Sequence, residues 1–238
     1  MQKKVLVTGI SGYVGQHCAA ELLKQGYRVK GSLRDTSKGA EVREGISSVV
    51  DPKDQLEFCA LDLTRDAGWE AAMEGCDFVL HVASPFLFKQ TKDENEIIKP
   101  AVEGTLRALK FAQKAKVKRV VLTSSIAAMS SHMYSGEFNP GDWTDLSHKN
   151  ISTYARSKTL AEKAAWDFYN QQEGMKLGLS LGIFMYLPLF LIFYGTRDTR
   201  PLAAWMTNAA FHIFQFGIFG IVVAHISGTP ASASSSGK

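Results

Sequence analysis

The stretch Val5-Leu6-Val7-Thr8-Gly9-Ile10-Ser11-Gly12-Tyr13-Val14-Gly15 decides the fold class of this chain. Its apolar start is typical of a buried strand, and the glycines that follow predict a tight turn into a helix. In the GxxGxxG spacing, Gly9 permits the turn, Gly12 lets backbone amides approach a phosphate, and Gly15 allows the helix to pack closely. The helix amino terminus then faces an anion. The stretch predicts a nucleotide site, with a glycine turn that binds no ligand as the alternative.

Beyond this stretch, short apolar runs alternate with longer amphipathic ones as far as about residue 176. This alternation is typical of parallel strands joined by crossover helices, and it predicts a Rossmann-type, doubly wound parallel α/β sheet. A serine or threonine at 152 or 153 is suited to cap the last helix. The predicted strands are Lys4 to Thr8, Arg28 to Leu33, Gln55 to Ala60, Phe78 to Val82 and Arg119 to Thr123. The predicted helices are Gly12 to Gln25, Trp69 to Met73, Asn95 to Ala115 and Thr153 to Gln172.

Composition and charge exclude several classes of protein. With 45% hydrophobic and 21% charged residues, the chain is neither disordered nor low in complexity. The net charge of +4 is scattered along the sequence, which argues against nucleic-acid binding. Cys18, Cys59 and Cys76 are odd in number and lack CxxC spacing, which favours reduced thiols and a cytoplasmic protein without a metal site. The amino terminus shows no export signal.

The composition changes after residue 176. From Leu177 to Lys238 the only charged residues are Arg197, Asp198, Arg200 and Lys238. We therefore divide the chain into a nucleotide-binding domain (1–176), an apolar segment (177–226) and a disordered tail (227–238). The uncharged runs beyond residue 176 are long enough to cross a bilayer, so membrane contact is one interpretation of this part of the chain. A buried sheet strand and a segment foreign to the parent fold are the others.

The end of the second predicted strand bears on cofactor choice. An NAD site usually presents an acidic side chain to the adenosine ribose here, whereas this chain has Arg34. A guanidinium binds a 2′-phosphate through two hydrogen bonds, so Arg34, helped by Ser32 or Lys38, favours NADP over NAD. A solvated surface arginine is the alternative, and Asp35 could serve a ribose hydroxyl. Asp62 and Leu63, after the third strand, are expected at the adenine edge, although an aspartate that opens a surface turn is equally common.

A second constellation carries the chemistry. Tyr154 and Lys158 are four residues apart on a predicted helix and therefore share a face. A neighbouring ammonium stabilises a phenolate and lowers the pKa of the phenol toward the working range. Ser125 follows the fifth predicted strand, where it could donate a hydrogen bond to a carbonyl oxygen that Tyr154 protonates. Tyrosine and lysine at this spacing are by themselves more often a solvated pair.

Together these motifs resemble the extended short-chain dehydrogenase/reductases, and within them the dihydroflavonol-reductase-like enzymes of the NAD-dependent epimerase/dehydratase superfamily. The resemblance covers about the first three quarters of the chain. The motifs that carry it, besides the glycine stretch, are His81-Val82-Ala83-Ser84-Pro85-Phe86, Ala101-Val102-Glu103-Gly104-Thr105, Val121-Leu122-Thr123-Ser124-Ser125, Asp142-Trp143-Thr144-Asp145 and Tyr154-Ala155-Arg156-Ser157-Lys158-Thr159-Leu160-Ala161-Glu162-Lys163.

The resemblance implies a role for each matching residue. Tyr154 is the general acid, Lys158 lowers its pKa and binds the nicotinamide ribose, and Ser125 polarises the substrate carbonyl. The cofactor site that it implies consists of Gly9, Ser11, Gly12, Tyr13, Val14, Gly15, Arg34, Asp62, Leu63, Ala83, Ser84, Pro85, Tyr154 and Lys158, with no metal.

The chain departs from the family after the catalytic helix. Met175 begins the next strand as expected, but 178–184 lacks the nicotinamide-holding loop of the family. We therefore expect the substrate region to be truncated or replaced. The leading hypothesis is an NADP-dependent reductase of an aldehyde or ketone, with NAD as the alternative cofactor, acting as a monomer or homodimer. Two alternatives stay open: a non-catalytic, nucleotide-binding or membrane-associated relative, and a nucleotide-sugar epimerase or dehydratase. Arg34 and the 81–86 stretch favour the reductase over the epimerase, whereas the composition of 177–224 favours the non-catalytic relative.

Overall fold

The computed structural model describes residues 2–85, 93–131, 141–171 and 178–182, the last five by their backbone. All of them lie within the compact unit Met1–Tyr186. Phe86 and nearly all of the predicted apolar segment and tail lie outside the described residues, so their predicted structure stays a prediction.

The sheet contains six parallel strands: β1 (Lys4–Thr8), β2 (Arg28–Leu33), β3 (Leu56–Ala60), β4 (Phe78–His81), β5 (Arg119–Thr123) and β6 (Gly178–Gly182). Their order across the sheet is β3-β2-β1-β4-β5-β6. The chain moves outward from β1 to β3 and then returns to place β4 on the other side of β1. This reversal is a topological switch point, where ligands of doubly wound sheets bind beyond the carboxyl ends of the strands. The predicted doubly wound sheet is confirmed.

Within the described residues, six helices lie between these strands: α1 (Tyr13–Lys24), α2 (Gly39–Ser47), α3 (Trp69–Met73), α4 (Asn95–Lys114), α5 (Ala127–Ser130) and α6 (Thr153–Gln171), with a 3-10 turn at Thr36–Lys38 before α2. Helix α1 packs on α2, whereas α4 packs on both α3 and α6. Two separate groups of packed helices are expected when helices cover both faces of one sheet.

The core beneath α4 and α6 joins side chains from all layers. Leu6, Val79 and Val120 of the sheet cluster with Trp69 of α3 and with small alanines of α4 and α6. Trp69 is fully buried, and its ring stacks on Phe111 at 6.3 Å between centroids. A buried indole of this size anchors the segment after β3 to the sheet.

The predicted strands and helices are all present, with ends within one residue of those expected. The sequence did not predict α2, because Gly39 and Gly45 are poor helix formers; its Val42 and Ile46 are buried, and the helix packs on α1. The short helix α5 was not predicted either. The strand expected from Met175 appears as β6 from Gly178, where it pairs with β5. None of the described helices is both long enough and apolar enough to cross a bilayer.

Candidate active site

The glycine turn after β1 is shaped by close backbone approach. Gly9 adopts φ +67°, and a Cβ there would lie 2.9 Å from the Cα of Ala83. The N–H of Gly12 donates to the carbonyl of Gly9 at 3.0 Å, and no side chain caps the first turn of α1, which begins at Tyr13. A Cβ on Gly15 would clash with the Gly9 carbonyl oxygen. Gly9 and Gly15 therefore serve separate steric needs, whereas a Cβ on Gly12 would make an ordinary contact with the Gly9 carbonyl oxygen at 3.4 Å. The first amides of α1 are left for a ligand.

Two side chains that the sequence did not assign to the turn hold it in place. The hydroxyl of Ser32, at the end of β2, accepts from the N–H of Gly9 at 3.1 Å. Thr8 is buried, and its hydroxyl accepts from the N–H of Ala83 at 3.0 Å and lies 2.9 Å from Nδ1 of His81. Ser32, which the sequence offered as a helper of Arg34, thus binds the turn. Thr8 joins the ends of β1 and β4 across the switch point.

Arg34 and Asp62 meet beyond the ends of β2 and β3. Arg34 is exposed, and hydrogen bonds from Thr64 lower the pKa of Asp62, which the charges of Arg65 and Arg34 lower further. Asp35 accepts from the N–H of Ser37 at 3.0 Å and caps the 3-10 turn. Arg34 is therefore an accessible cation beside a carboxylate at the edge where the sequence expected adenosine.

Residues 61–66, which we call the β3 loop, are clamped by α4. A Cβ on Gly104 would lie 2.9 Å from Leu63 Cδ2, so the loop packs directly on the helix backbone. Arg107 donates to the carbonyl of Leu63 at 2.7 Å and to Asp66 at 2.5 Å. The sequence analysis quoted the 101–105 motif of α4 but assigned it no role, and it did not identify Arg107. Its i,i+4 pair with Glu103 is local, but its contacts with Leu63 and Asp66 join residues some forty positions apart and have no local signal.

The residues that follow β4 lie beside the glycine turn, at the carboxyl ends of the strands. Ala83, Ser84 and Pro85 are partly exposed, and Ala83 contacts both the glycine turn and Thr8. His81 is buried beneath them, and burial lowers its pKa to about 3, with the charge of Lys158 acting in the same direction. This histidine is therefore neutral and positions the strand end rather than carrying charge.

Tyr154 and Lys158 lie one turn apart on α6. Ser152 begins that helix, since its hydroxyl accepts from the N–H of Ala155 at 3.1 Å. The ammonium of Lys158 lies 5.9 Å from the ring centroid of Tyr154 and donates to the carbonyl of Thr123 at 3.3 Å. Lys158 is only 6% exposed, and burial lowers its pKa to about 8. A phenol thus shares the helix face with a buried cation.

Ser125 follows β5 and is almost completely buried. Its hydroxyl oxygen accepts from the N–H of Ala127 at 3.2 Å, which leaves the hydroxyl proton available to donate. The preceding residues, Thr123 and Ser124, contact Lys158 and Glu162 of α6. The end of β5 is therefore joined to the helix that carries Tyr154.

Sequence reasoning also missed Glu162, although its signal was visible. Tyr154, Lys158 and Glu162 recur every four residues and so share one helix face. The partner of Glu162 could not be read from the sequence. Within the described residues no cluster of His, Cys, Asp or Glu is arranged to hold a metal ion.

Comparison with known proteins shows the family of the chain. Residues 5–210 match the NAD dependent epimerase/dehydratase family. The chain belongs to this family. The resemblance drawn from its motifs is thereby confirmed.

The relatives are reductases. Dihydroflavonol 4-reductase of Arabidopsis thaliana is 37% identical over 72% of this chain and 46% of its own length. The Candida albicans Gre2 structure in complex with NADPH superposes with a TM-score of 0.69 and is 28% identical, over 77% of this chain and 58% of that one. Yeast methylglyoxal/isovaleraldehyde reductase Gre2, also complexed with NADPH, gives a TM-score of 0.67 at 31% identity, over 77% and 58%. The chain thus spans about half the length of the curated relatives it matches.

Proposed function

We propose that this protein is an NADP-dependent oxidoreductase that reduces an aldehyde or ketone to an alcohol. The observation that carries this proposal is the buried ammonium of Lys158, one helical turn from Tyr154 and hydrogen-bonded to the end of β5. Such an ammonium is costly to bury, and lowering the pKa of a neighbouring phenol is a chemical use for it. Reductase relatives support the same reaction class.

The residues at the switch point fit a dinucleotide. Gly9 and Gly15 allow the close backbone contacts that shape the turn, and Gly12 precedes α1 without a side chain. The uncapped first turn of α1 offers amide donors to a pyrophosphate. Exposed Arg34 suits a 2′-phosphate, and the Gre2 relatives solved with NADPH support this choice over NAD. The adenine would lie against Asp62 and Leu63, and the nicotinamide against Ala83 to Pro85.

When bound, NADPH supplies the hydride for the carbonyl carbon. Ser125 donates its hydroxyl proton in a hydrogen bond to the carbonyl oxygen and so orients the substrate. Tyr154 then gives the phenolic proton to that oxygen. Lys158 stabilises the phenolate left on Tyr154, because an adjacent cation favours the charged form of a phenol.

The cofactor assignment is tested by fluorescence titration of the purified protein with NADPH and NADH. We expect tighter binding of NADPH, and we expect Arg34→Ala to weaken NADPH binding about 10- to 100-fold with little change for NADH, as loss of a bidentate phosphate contact implies. Arg28→Ala is the matched control, since Arg28 is exposed at the opposite end of β2. Equal affinities for both cofactors in the wild type would contradict the NADP assignment.

Turnover is tested with small aldehydes and ketones as substrates, following NADPH oxidation. We expect Tyr154→Phe to lose at least about 100-fold in kcat while NADPH affinity is retained, because general acid catalysis contributes about that much. Tyr169→Phe, an exposed tyrosine of the same helix, should behave as the wild type. NADPH binding without any carbonyl turnover would instead favour a non-catalytic relative, and tightly held NAD with turnover of a nucleotide sugar would favour an epimerase or dehydratase.

A further inference from the structure

The buried ammonium of Lys158 has an unusual electrostatic setting. It lies 5.9 Å from the ring centroid of Tyr154 and donates to the carbonyl of Thr123 on β5. Glu162 follows one turn later on the same helix, and buried His81 on β4 is close enough for the charge of Lys158 to lower its pKa. Burial disfavours its charge, and His81 is neutral. Glu162 is thus the described carboxylate that favours the charged form of Lys158.

The neighbouring helices direct their charges elsewhere. Helix α5 carries no ionisable side chain. On α4, Glu103 and Arg107 bind each other, and Arg107 also binds the β3 loop. At the start of α6, Arg156 pairs with Glu94 at 3.4 Å. These pairs leave Glu162 as the local counter-charge on the Lys158 face of the helix.

The carboxylate of Glu162 is fixed by a second contact. Buried Ser124, the residue between Thr123 and Ser125, donates its hydroxyl to Oε2 of Glu162. A single segment after β5 therefore binds Lys158 through Thr123, holds Glu162 through Ser124 and presents Ser125. We propose that Glu162, held by Ser124, is a positioning residue whose carboxylate keeps the ammonium of Lys158 charged beside Tyr154. This inference rests on the proposed function and adds a residue to that site.

The direct test is an NMR titration of the Lys158 side chain in the cofactor-free full-length protein, labelled on lysine and assigned with Lys158→Arg. In Glu162→Gln we expect the midpoint to fall by on the order of one pH unit, as loss of a nearby opposite charge implies. At pH 8 the protonated fraction would fall from about one half to about one tenth. Glu162→Asp should restore part of the shift. The control Glu70→Gln removes an exposed carboxylate paired with Lys114 at 2.9 Å and should leave the midpoint unchanged.

Kinetics give a second readout. With NADPH and an aldehyde, kcat of Glu162→Gln should fall about fivefold at pH 8 and recover to within about twofold at pH 6, where Lys158 is protonated in both proteins. KM for the carbonyl should change little. A structural role alone would lower the melting temperature without this pH dependence.

The inference is refuted if Lys158 has the same titration midpoint in the folded Glu162→Gln variant as in the wild type. If that variant does not fold, the same titration is made on Ser124→Ala. We expect the Lys158 midpoint to fall by a smaller amount in this variant, and an unchanged midpoint would refute the inference. Because the titration needs neither cofactor nor substrate, it separates this inference from the proposed function. A wild-type protein that binds no NADPH and reduces no carbonyl would refute the function while the midpoints still report on Glu162.

Discussion

Replacing Lys158 by methionine is expected to abolish carbonyl reduction and yet stabilise the protein at neutral pH. Burial lowers the pKa of Lys158 from 10.5 to about 8, so the folded state disfavours the charged ammonium. At about 1.4 kcal/mol per pH unit, this shift means that holding the charge costs roughly 3 kcal/mol of folding free energy at pH 7. Methionine keeps the apolar stem and removes that cost.

Part of this gain is offset. The substitution removes the hydrogen bond to the carbonyl of Thr123, worth about 1 kcal/mol, and the attraction to Glu162. We therefore expect the Lys158→Met protein to be about 1 to 2 kcal/mol more stable than the wild type at pH 7.

The pH dependence has a definite sign. Between pH 8 and 10.5 the unfolded chain binds more protons at this lysine than the folded chain does, so wild-type stability gains from rising pH in this window. The advantage of the variant should shrink by about 2 kcal/mol between pH 7 and pH 10. Urea denaturation of both proteins at the two pH values measures it.

Lys114→Met serves as the control, because Lys114 is exposed and its surface pair with Glu70 contributes little at either pH. Two results would refute the reasoning: a Lys158→Met protein less stable than the wild type at pH 7, or a stability difference that stays constant from pH 7 to pH 10.

Three further substitutions test the cofactor edge. Gly15→Ala places a methyl against the Gly9 carbonyl; we expect a loss of about 1 to 3 kcal/mol in urea denaturation, together with weaker NADPH binding. Arg107→Met frees the β3 loop; binding of 2′,5′-ADP should weaken about 5- to 30-fold, as loss of a charged hydrogen bond implies, while binding of reduced nicotinamide mononucleotide is unchanged. Thr8→Val leaves the partly buried N–H of Ala83 without its acceptor; we expect a loss of about 1 to 2 kcal/mol in urea denaturation.

Each of these has its own control and contrary outcome. Gly45→Ala in helix α2 is the control for Gly15→Ala, because a methyl there meets only the end of the flexible Gln16 side chain and should not destabilise the protein. A Gly15→Ala protein as stable as the wild type would contradict the steric role of Gly15. Equal weakening of both ligands by Arg107→Met would contradict a role confined to the β3 loop. Thr8→Ser keeps the hydroxyl and should retain most of the stability that Thr8→Val loses; equal losses would show that the hydrogen bond to Ala83 is unimportant.

Much of the fold followed from local patterns. β1, β2 and β5 were predicted residue for residue, because apolar runs bounded by turn residues report buried parallel strands directly. Helix α2 escaped prediction because its glycines weaken the helical signal, and only packing of Val42 and Ile46 makes it stable.

The candidate site also has parts that local sequence patterns predict and parts that they do not. The sequence by itself determined the glycine turn and the Tyr154/Lys158 pair, because both depend on spacing within one turn or one helix. Only the tertiary structure decided which side chains contact these two features. Ser32 and Thr8 bind the residues around the glycine turn, and Ser124 binds Glu162 on the helix that carries the Tyr154/Lys158 pair. These contacts join segments 23 to 75 residues apart in sequence, which become neighbours only because parallel strands end at a common edge of the sheet. The burial that lowers the pKa of Lys158 has the same origin, since it exists only when α6 is packed on the sheet.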